Sequence, residues 1–415
     1  MNKNLLIPIE KTDIQLIDGD RGENYPSKKE FHNQGYCLFL DSKNITKQGF
    51  NFKNKHFITK EKDKVLNTGK LKRNDIVMMT RGSVGKVAFY DETIPFDNIR
   101  INSGMIILRC GKQYNAENLY YIFQSDFIQS QIKQLMSGSV QKQLPATVIK
   151  QIKLPKNIGN IDLIKKIDSQ ISNNNAISEE LESMAKTIYD YWFLQYEFPD
   201  ENGKPYKSNG GKMVWNEQLK QEIPVGWKVD NLYKIADFIN GIACQKYRPL
   251  DNKHKLPVIK ITEMHDGFTS KTEFVRDSIS KDHIINNGDI LFSWSASLET
   301  MIWNYGKGGL NQHIFKVIPK NGFSLHYVYQ TLSSYIVNFK RMAEARKTTM
   351  GHITQDHLKQ SRIVIPPQDL INKFENIVKK IYVEITTVDE ESQQLKYLRD
   401  FLLPMLMNGQ VSIKD

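Results

Sequence analysis

An internal duplication constrains this chain more than any other feature of its sequence. Residues 71–79 (LKRNDIVMM) and 285–293 (INNGDILFS) both show a polar turn, an aspartate and a strand-like apolar run. Residues 148–155 (VIKQIKLP) match residues 358–366 (LKQSRIVIP) in the same way. The offset is roughly 210 residues, whereas solenoid repeats have periods of about 20–50 residues. The duplication therefore predicts two copies of a whole domain in a chain of 415 residues.

Each copy has the same order of predicted elements. Short apolar segments with turn signals come first, for example NDIVMM and MIILR in the first copy and GDILFS and HIFKV in the second. A helical stretch follows at residues 117–136 or 325–342, and then a polar loop, a strand that ends in proline and a long helix. This order predicts an α+β fold of two similar β-rich domains, each followed by a long α-helix.

The two closing helices show the clearest periodicity. Their apolar residues recur at alternating steps of four and three, which is typical of a coiled-coil seam. Each helix of about 35 residues would extend about 50 Å, which exceeds the width of a domain of about 150 residues. We therefore predict an antiparallel coiled-coil spacer rather than two helices packed on their own domains. The predicted seam includes Leu181, Met184, Ile188, Ile381, Leu395, Leu398 and Leu402.

The composition shifts along the chain predict its domain boundaries. A stretch rich in Gly, Pro, Asn and Lys separates the copies and is interpreted as a connector. The predicted segments are a first domain at residues 1–155, a first spacer helix at 156–196, a connector at 197–221, a second domain at 222–366, and a second helix with a tail at 367–408.

The stretch RGSVGK at residues 81–86 resembles a phosphate-binding loop but does not match the motif. GxxxxGK[ST] requires glycine where Thr80 stands and a hydroxyl residue where Val87 stands. At the same place the second copy reads SASLET, residues 295–300, without the glycines or the lysine. A loop that differs between two copies of one domain is expected to recognise two different ligands, so we predict a recognition loop and no nucleotide site.

Other catalytic patterns are absent from the sequence. It has no NPP[YF], GxSxG or helix-opening GxGxxG, and its Asp/Glu-x-Lys matches are expected by chance in so charged a chain. Cys37, Cys110 and Cys244 lie far apart and no HExxH occurs, so no metal site is predicted. No apolar window reaches 18 residues and the start lacks a signal-peptide pattern, which favours a cytoplasmic protein without membrane contact.

The charge balance favours a polyanionic partner. Lys and Arg number 57 against 46 Asp and Glu, a formal net charge of +11. The densest basic run, residues 53–73, holds eight Lys/Arg against Glu61 and Asp63. Nucleic acid is the polyanion that this balance favours, although a basic protein without such a partner would have the same composition.

Several stretches together resemble the specificity subunit of type I restriction–modification systems. Residues 74–90 are similar to a strand–turn–strand of its target recognition domain, and GSVQKQLPATVIKQIKLP at residues 138–155 is similar to its GSxQ-type loop and exit strand. The junction at residues 185–215, EIPVGW after it, and the tail at residues 398–413 also resemble this family. The second copy departs from it in having TMGHITQ at residues 349–355.

The resemblance implies a protein without enzymatic activity of its own. Such a subunit assembles with methyltransferase (M) subunits and motor-nuclease (R) subunits. Each recognition domain then reads one half of a split, asymmetric site in double-stranded DNA, and the helix pair sets the gap between the halves. S-adenosylmethionine, ATP and Mg²⁺ are then expected on the partner subunits, with no cofactor in this chain.

Polar residues in the predicted loops are the candidates for DNA contact. Arg can bind guanine through two hydrogen bonds, Gln can do so with adenine, and Lys more often binds phosphate. A plain surface turn or a solvated helix end is the alternative for each stretch. The candidates are Arg81, Ser83, Lys86, Gln141, Lys142 and Gln143 in the first copy, and Tyr247, Arg248, Arg346, Lys347, Thr348, His352 and Gln355 in the second.

Three other functions stay open at this point. A related restriction class, in which one partner chain fuses methyltransferase and nuclease, would use a similar subunit. A stand-alone DNA-binding regulator would also fit the charge and the duplication. A self-sufficient nuclease or methyltransferase rests on the Asp/Glu-x-Lys matches alone.

Overall fold

The structure is a computed structural model of the chain. It describes residues 6–46, 49–137, 143–156, 161–269, 271–295, 297–345 and 353–407. The chain forms two compact units, unit 1 with Met1–Ser169 and Leu395–Asp415, and unit 2 with Gln170–Gln394. These units divide both long helices, whereas the segments predicted from sequence keep the helices whole, and those segment boundaries stay a prediction.

Unit 1 contains eleven of the described strands and four of the described helices, together with the start of a fifth. The strands are β1 (Leu6–Pro8), β2 (Gln15–Asp18), β3 (Cys37–Phe39), β4 (Ile45–Thr46), β5 (Gly49–Phe50), β6 (Phe57–Ile58), β7 (Asp75–Met79), β8 (Val87–Tyr90), β9 (Ile99–Arg100), β10 (Met105–Arg109) and β11 (Lys153–Pro155). The helices are α1 (Lys60–Val65), α2 (Ala116–Gln124), α3 (Asp126–Ser137), α4 (Ala146–Ile149) and α5 (Asp162–Tyr189), which continues into unit 2.

Two sheets enclose the core of unit 1. The first is antiparallel with strand order β2-β10-β7-β8, and the second has the order β6-β3-β9 with β3 and β9 parallel. Strand β7 is buried on both faces, because Ile76 and Met78 pack on the helical side while Val77 and Met79 pack towards the second sheet. This explains why IVMM is a continuous apolar run rather than an alternating one.

Unit 2 contains the remaining described strands and helices. The strands are β12 (Met213–Asn216), β13 (Gln221–Pro224), β14 (Lys228–Asp230), β15 (Ala236–Asn240), β16 (Lys255–Ile259), β17 (Phe274–Arg276), β18 (Ile284–Ile285), β19 (Ile290–Ser293), β20 (Glu299–Ile302), β21 (Gly308–Leu310), β22 (Ile314–Pro319) and β23 (Ile363–Ile365). The helices are α6 (Ile261–Asp266), α7 (Leu325–Ala345), α8 (Gln355–Gln360) and α9 (Gln368–Met407), whose last turns belong to unit 1.

The sheets of unit 2 repeat the topology of unit 1. The order β15-β22-β19-β20 corresponds to β2-β10-β7-β8, and β17-β16-β21 corresponds to β6-β3-β9, again with one parallel pair, β16 with β21. Strand β14 pairs with β23 as β1 pairs with β11. The duplication and the α+β class predicted from the sequence are therefore confirmed.

The turn before the central strand explains the motif that revealed the duplication. Asn74 and Gly288 both have left-handed backbones, with φ of 71° and 90°, a conformation that Gly and Asn adopt most readily. The next residue, Asp75 or Asp289, accepts a hydrogen bond from a backbone N–H three residues earlier, at 2.7 Å and 2.8 Å. The sequences Asn-Asp and Gly-Asp therefore form the same turn in the two units.

The helical stretch predicted at residues 117–136 is divided in two. Ser125 has extended backbone angles, and its hydroxyl donates to the carbonyl oxygen of Ile122 at 2.6 Å. A serine side chain that bonds to the nearby backbone competes with helix formation, which ends α2 and begins α3. The matching stretch of unit 2 lacks this break and forms the single helix α7.

The long helices α5 and α9 pair in antiparallel fashion within each unit. In unit 2, Asn174 Nδ2 donates to Glu391 Oε2 at 3.1 Å, and Ser178 Oγ donates to Asp389 Oδ1 at 3.0 Å. In unit 1, Arg399 Nη1 lies 3.0 Å from Asp168 Oδ1. Residue numbers fall along α9 as they rise along α5, so the predicted antiparallel pairing is confirmed.

The buried stripe of these helices does not follow the predicted apolar seam. Met184 is 53% exposed and Leu398 is 41% exposed, whereas the buried positions include the polar residues Asn174 and Ser392. A seam counted from apolar letters cannot include a buried polar residue such as Asn174, which hydrogen-bonds to Glu391 of the other helix. The remaining seam residues are half-buried: Leu181, Ile188, Ile381, Leu395 and Leu402.

The segment predicted as a connector is ordered by aromatic packing. The Phe198 ring stacks on Tyr206 at 4.5 Å and on Trp227 at 5.1 Å between centroids. Strands β12 and β13 form a hairpin across residues 213–224, which sequence reasoning did not predict. The connector is therefore built into unit 2.

Candidate nucleic-acid interface

The RGSVGK loop joins β7 to β8, and its backbone is used internally. Gly85 N donates to the carbonyl oxygen of Met79 at 3.0 Å, and Arg81 N donates to that of Gly104 at 3.2 Å. Gly82 and Gly85 have φ of 70° and 88°. The glycines therefore serve the shape of the turn, and the N–H groups of Arg81 and Gly85 are bonded within the domain rather than available to a phosphate.

Gly85 also serves close packing against helix α3. A Cβ at this position would lie 2.9 Å from Oε1 of Gln129 and 3.3 Å from Ile132. Gln129 in turn donates from Nε2 to the carbonyl oxygen of Gly85 at 2.9 Å. The loop is consequently held on the domain and presents its exposed residues, Arg81 and Ser83, from a fixed base.

Three chain segments meet at the base of this loop. Thr80 N donates to the carbonyl oxygen of Gly104 at 2.8 Å, and Leu144 N donates to that of Thr80 at 2.9 Å. We call residues 80–81, 102–104 and 143–144 the three-segment frame of unit 1. The frame brings together positions more than 60 residues apart in sequence, since Arg81 Nε donates to Gln143 Oε1 at 3.0 Å.

The frame contains two of the six residues predicted in the first copy. Arg81 is exposed and, among the described residues, forms no ion pair, while Gln143 is half-buried. Ser83 is exposed at the loop tip and Lys86 is half-buried at the start of β8. Gln141 and Lys142 lie outside the described residues.

Unit 2 forms the same frame from different side chains. Trp294 N donates to the carbonyl oxygen of His313 at 3.3 Å, and Ile353 N donates to that of Trp294 at 3.0 Å. Residues 294–295, 311–313 and 353 are thus the three-segment frame of unit 2. Trp294 is half-buried, with its indole N–H 3.2 Å from Asn240 Oδ1.

The loop of unit 2 is shorter than its predicted range. Residues 294–298 connect β19 to β20, so Glu299 and Thr300 of SASLET already belong to the strand. Thr300 Oγ1 lies 2.5 Å from Ser333 Oγ of helix α7. The loop does connect the same two strands as RGSVGK, as the sequence offset predicted.

The residues predicted in the second copy lie in separate places. Tyr247 is half-buried with its ring 5.1 Å from the Arg276 guanidinium, and Arg248 is exposed at a surface cleft. Gln355 is the exposed first residue of α8. Arg346, Lys347, Thr348 and His352 lie outside the described residues. Gln312 N donates to the carbonyl oxygen of Ile242 at 2.9 Å, which places the chain before Tyr247 beside the frame.

Sequence reasoning missed Gln312 and His313 of this frame. Gln312 Nε2 lies 3.2 Å from His313 Nε2, and the His313 ring lies 5.6 Å from the Trp294 ring. The signal that could have found them is the shared asparagine of INSGM and LNQHI, because Asn102 and Asn311 each accept a backbone N–H two residues later.

The basic run at residues 53–73 is partly neutralised within unit 1. Lys62 pairs with Glu30 at 2.8 Å, Lys70 with Asp63 at 2.5 Å, and Arg73 with Asp97 at 2.8 Å. Lys60 and Lys70 also lie 5.5 Å and 5.6 Å from the centre of the Tyr36 ring, which is 41% exposed. This exposed ring between two cations is a second surface suited to nucleic acid that the sequence did not reveal.

The described residues lack two other kinds of functional feature, a metal-binding cluster and a membrane-spanning helix. No group of three or more His, Cys, Asp or Glu side chains is arranged to hold a metal ion within the described ranges. None of the helices in the described part of the chain combines the length and the hydropathy that a membrane crossing requires.

Comparison with known proteins gives consistent matches. A family model described as the type I restriction modification DNA specificity domain matches residues 12–183 and again residues 224–396. The specificity subunit of type I restriction enzyme MjaIX from Methanocaldococcus jannaschii is 22% identical over 367 residues, covering 83% of this chain and 79% of that protein. The specificity subunit of HindI from Haemophilus influenzae is 21% identical over 304 residues, covering 60% of this chain and 66% of that protein. The crystal structure of a type I restriction–modification S subunit from M. genitalium has 15% identity and a TM-score of 0.49, covering 98% of this chain and 97% of that one.

The two family matches together cover most of the chain, and they fall on the two copies of the duplicated fold. Each match includes the loop after the central strand and the turn before the neighbouring strand that build one three-segment frame. The chain therefore belongs to the family of type I restriction–modification DNA specificity domains, which it carries twice.

Proposed function

We propose that this chain is the DNA-reading subunit of a type I restriction–modification complex, in which each unit recognises one half of a split, asymmetric site. The observation that carries the proposal is one frame built twice with different side chains. Arg81 and Gln143 occupy it in unit 1, whereas Gln312 and His313 occupy it in unit 2. Two copies of one fold with different polar groups are what two different half-sites require.

The proposal assigns the chemistry to partner subunits. The family to which the chain belongs supplies specificity and not catalysis, and the sequence lacks the catalytic motifs of a methyltransferase or a nuclease. Methyltransferase and motor-nuclease subunits would bring S-adenosylmethionine, ATP and Mg²⁺, and the complex would act in the cytoplasm where it meets DNA. The paired helices α5 and α9, about 42 Å and 60 Å long at 1.5 Å per residue, would set the gap between the half-sites.

Co-expression with the methyltransferase subunit tests the function directly. We expect methylome sequencing of the host to show methylated adenine at one split motif, and the purified chain alone to show neither methylation nor cleavage. Expression without any gained split motif would overturn the proposal. A motif gained with a partner that carries methyltransferase and nuclease in one chain would indicate the related restriction class, and binding without any enzyme partner would indicate a regulator.

Substitution of Lys86 tests a phosphate contact at the loop. If its ammonium binds phosphate, Lys86→Ala should weaken binding to every DNA sequence alike and reduce the slope of log K against log salt by about one unit. Titration of fluorescent duplexes at several salt concentrations measures both effects. Ser83→Ala is the control, since a neutral loop residue should leave the salt slope unchanged.

A further inference from the structure

The two frames place polar side chains at different positions of the same backbone arrangement. Counting from the shared hydrogen bonds, Arg81 corresponds to Ser295, and Ser103 corresponds to Gln312. In unit 1 the loop supplies the long polar side chain, Arg81, and the turn has a serine at the compared position. In unit 2 the turn supplies the long polar side chain, Gln312, and the loop has the serine.

In each unit a side chain of the loop segment lies beside the turn. A Cβ at Gly104 would lie 3.6 Å from the Cβ and 4.0 Å from the Cδ of Arg81, which are ordinary contact distances, so the Arg81 side chain lies against the turn of unit 1. In unit 2 the residue that corresponds to Gly104 is His313, whose ring packs beside Trp294. The loop and the turn are therefore in contact in both frames, but the long polar side chain comes from the loop in unit 1 and from the turn in unit 2.

The polar groups left available differ between the frames. Arg81 uses Nε for Gln143, and among the described residues no acceptor bonds its two terminal nitrogens, which suit the O6 and N7 of guanine. Among the described residues, the side-chain amide of Gln312 contacts His313, and its second N–H and its carbonyl oxygen suit N7 and N6 of adenine. Arg81 is exposed and Gln312 is half-buried, so both side chains lie at the surface of their frames and not in the core.

We propose that Arg81 and Gln312 are the specificity-determining residues of the two frames, each reading a base edge in a different half-site. This inference rests on the proposed function and goes beyond it, because it names non-equivalent positions of the repeat as the readers. It follows that the positions equivalent to them, Ser103 for Gln312 and Ser295 for Arg81, carry little specificity.

The experiment uses the full chain assembled with its methyltransferase partner. Methylation rates are measured on duplexes that carry every single-base change in the split motif. Arg81→Ala should lose roughly 5- to 150-fold of discrimination at one position of one half-site, as expected for a bidentate base contact, with the other half-site unchanged. Gln312→Ala should do the same in the opposite half-site, and Gln312→Glu should change the preferred base there, which misfolding could not produce.

The matched controls are Ser103→Ala and Ser295→Ala, which should keep discrimination within about twofold of the parent chain, since neither removes a base contact. Unchanged specificity in both Gln312 variants would overturn the inference. So would a loss of discrimination in the Ser103→Ala control as large as in Arg81→Ala. In either case a split motif gained with the wild-type chain would still support the proposed function. A wild-type complex without any split motif would instead remove the proposed function and this inference with it.

Discussion

Unit 1 and unit 2 stabilise the same parallel strand pair by different means. In unit 1, Arg100 of β9 lies beside Phe39 of β3, whereas in unit 2 the corresponding residue of β21 is Gly309, which lies beside Val258 of β16. Arg100 is only 5% exposed and donates to Asp63 Oδ1 at 2.6 Å and to the carbonyl oxygen of Thr68 at 2.6 Å. One topology thus accepts either a buried ion pair, which ties helix α1 to the sheet, or a glycine against which an apolar side chain packs, since a Cβ at Gly309 would lie 2.5 Å from Val275 Cγ2.

The largest expected effect comes from removing the buried ion pair of unit 1. Arg100→Leu leaves the Asp63 carboxylate buried with only Lys70 as a partner, and should reduce the stability of the β3–β9 region by about 3–5 kcal/mol. Hydrogen exchange followed by mass spectrometry measures the loss for peptides of unit 1, with unit 2 as the internal reference. Arg100→Leu combined with Asp63→Leu should recover most of the loss, and a double variant as unstable as the single one would contradict this account.

A second comparison concerns the aspartate of the shared turn. Asp75 is 1% exposed and binds Arg109 at 2.7 Å, whereas Asp289 is 24% exposed and binds Lys316 at 2.8 Å. Arg109→Met should therefore destabilise its sheet by about 2–3 kcal/mol, and Lys316→Met by about 1 kcal/mol, since only the first leaves a fully buried charge. The same exchange measurement compares them, and equal losses would show that burial of the carboxylate does not set the difference.

Lowering the pH should destabilise the β6-β3-β9 sheet of unit 1 before the β17-β16-β21 sheet of unit 2. Burial tends to raise the pKa of Asp63, but hydrogen bonds from Lys70 and Arg100 outweigh it and hold the pKa below the ordinary 3.8. A lowered folded pKa means that the stabilisation is complete above the unfolded value and is lost as the pH falls through the folded value. Exchange rates measured from pH 5 down to pH 2 should rise first at β3 and β9, and Asp63→Asn should remove most of that pH dependence.

The smallest expected effect is at the turn before the central strands. A side chain at Gly288 would meet nothing within 4 Å, so Gly288→Ala tests the backbone alone, at φ of 90°. Because alanine disfavours the left-handed conformation, Gly288→Ala should make the protein about 1 kcal/mol less stable. Asn74→Gly in unit 1 should change the stability by less than that. Thermal unfolding, together with hydrogen exchange at the turn, measures both changes in stability. A loss at Asn74→Gly as large as the loss at Gly288→Ala would contradict the turn assignment.

Local features of the chain were predictable because they depend on neighbouring residues. The strands at NDIVMM and GDILFS, the helix α7 and the existence of α5 and α9 follow from periodicity and turn residues, and the duplication follows from their order. The break at Ser125 was not predicted, since a serine bonds to the backbone in some helices and ends others. The hairpin at β12 and β13 was hidden by the Gly- and Lys-rich composition around it.

The candidate site was likewise predictable only in part. Arg81 was found because its loop differs between the copies, but its contact with Gln143, 62 residues away, depends on the packing of the loop against the segment before α4. Gln312 and His313 were missed because their only sequence signal is the asparagine that the two turns share, and a glutamine and a histidine have no turn signature of their own. The exposed Tyr36 ring between Lys60 and Lys70 likewise becomes visible only when separate segments are brought together.

The sequence by itself determined the duplicated α+β architecture, the long helices and the absence of a nucleotide-binding motif, because each depends on residues within one turn or one strand of each other. Only the tertiary structure decided which helix face is buried, since Asn174 and Ser178 complete the stripe through hydrogen bonds to Glu391 and Asp389 of the other helix. It also decided which polar groups share a frame. Both outcomes depend on contacts between residues far apart in the chain, whose free energy no local pattern contains.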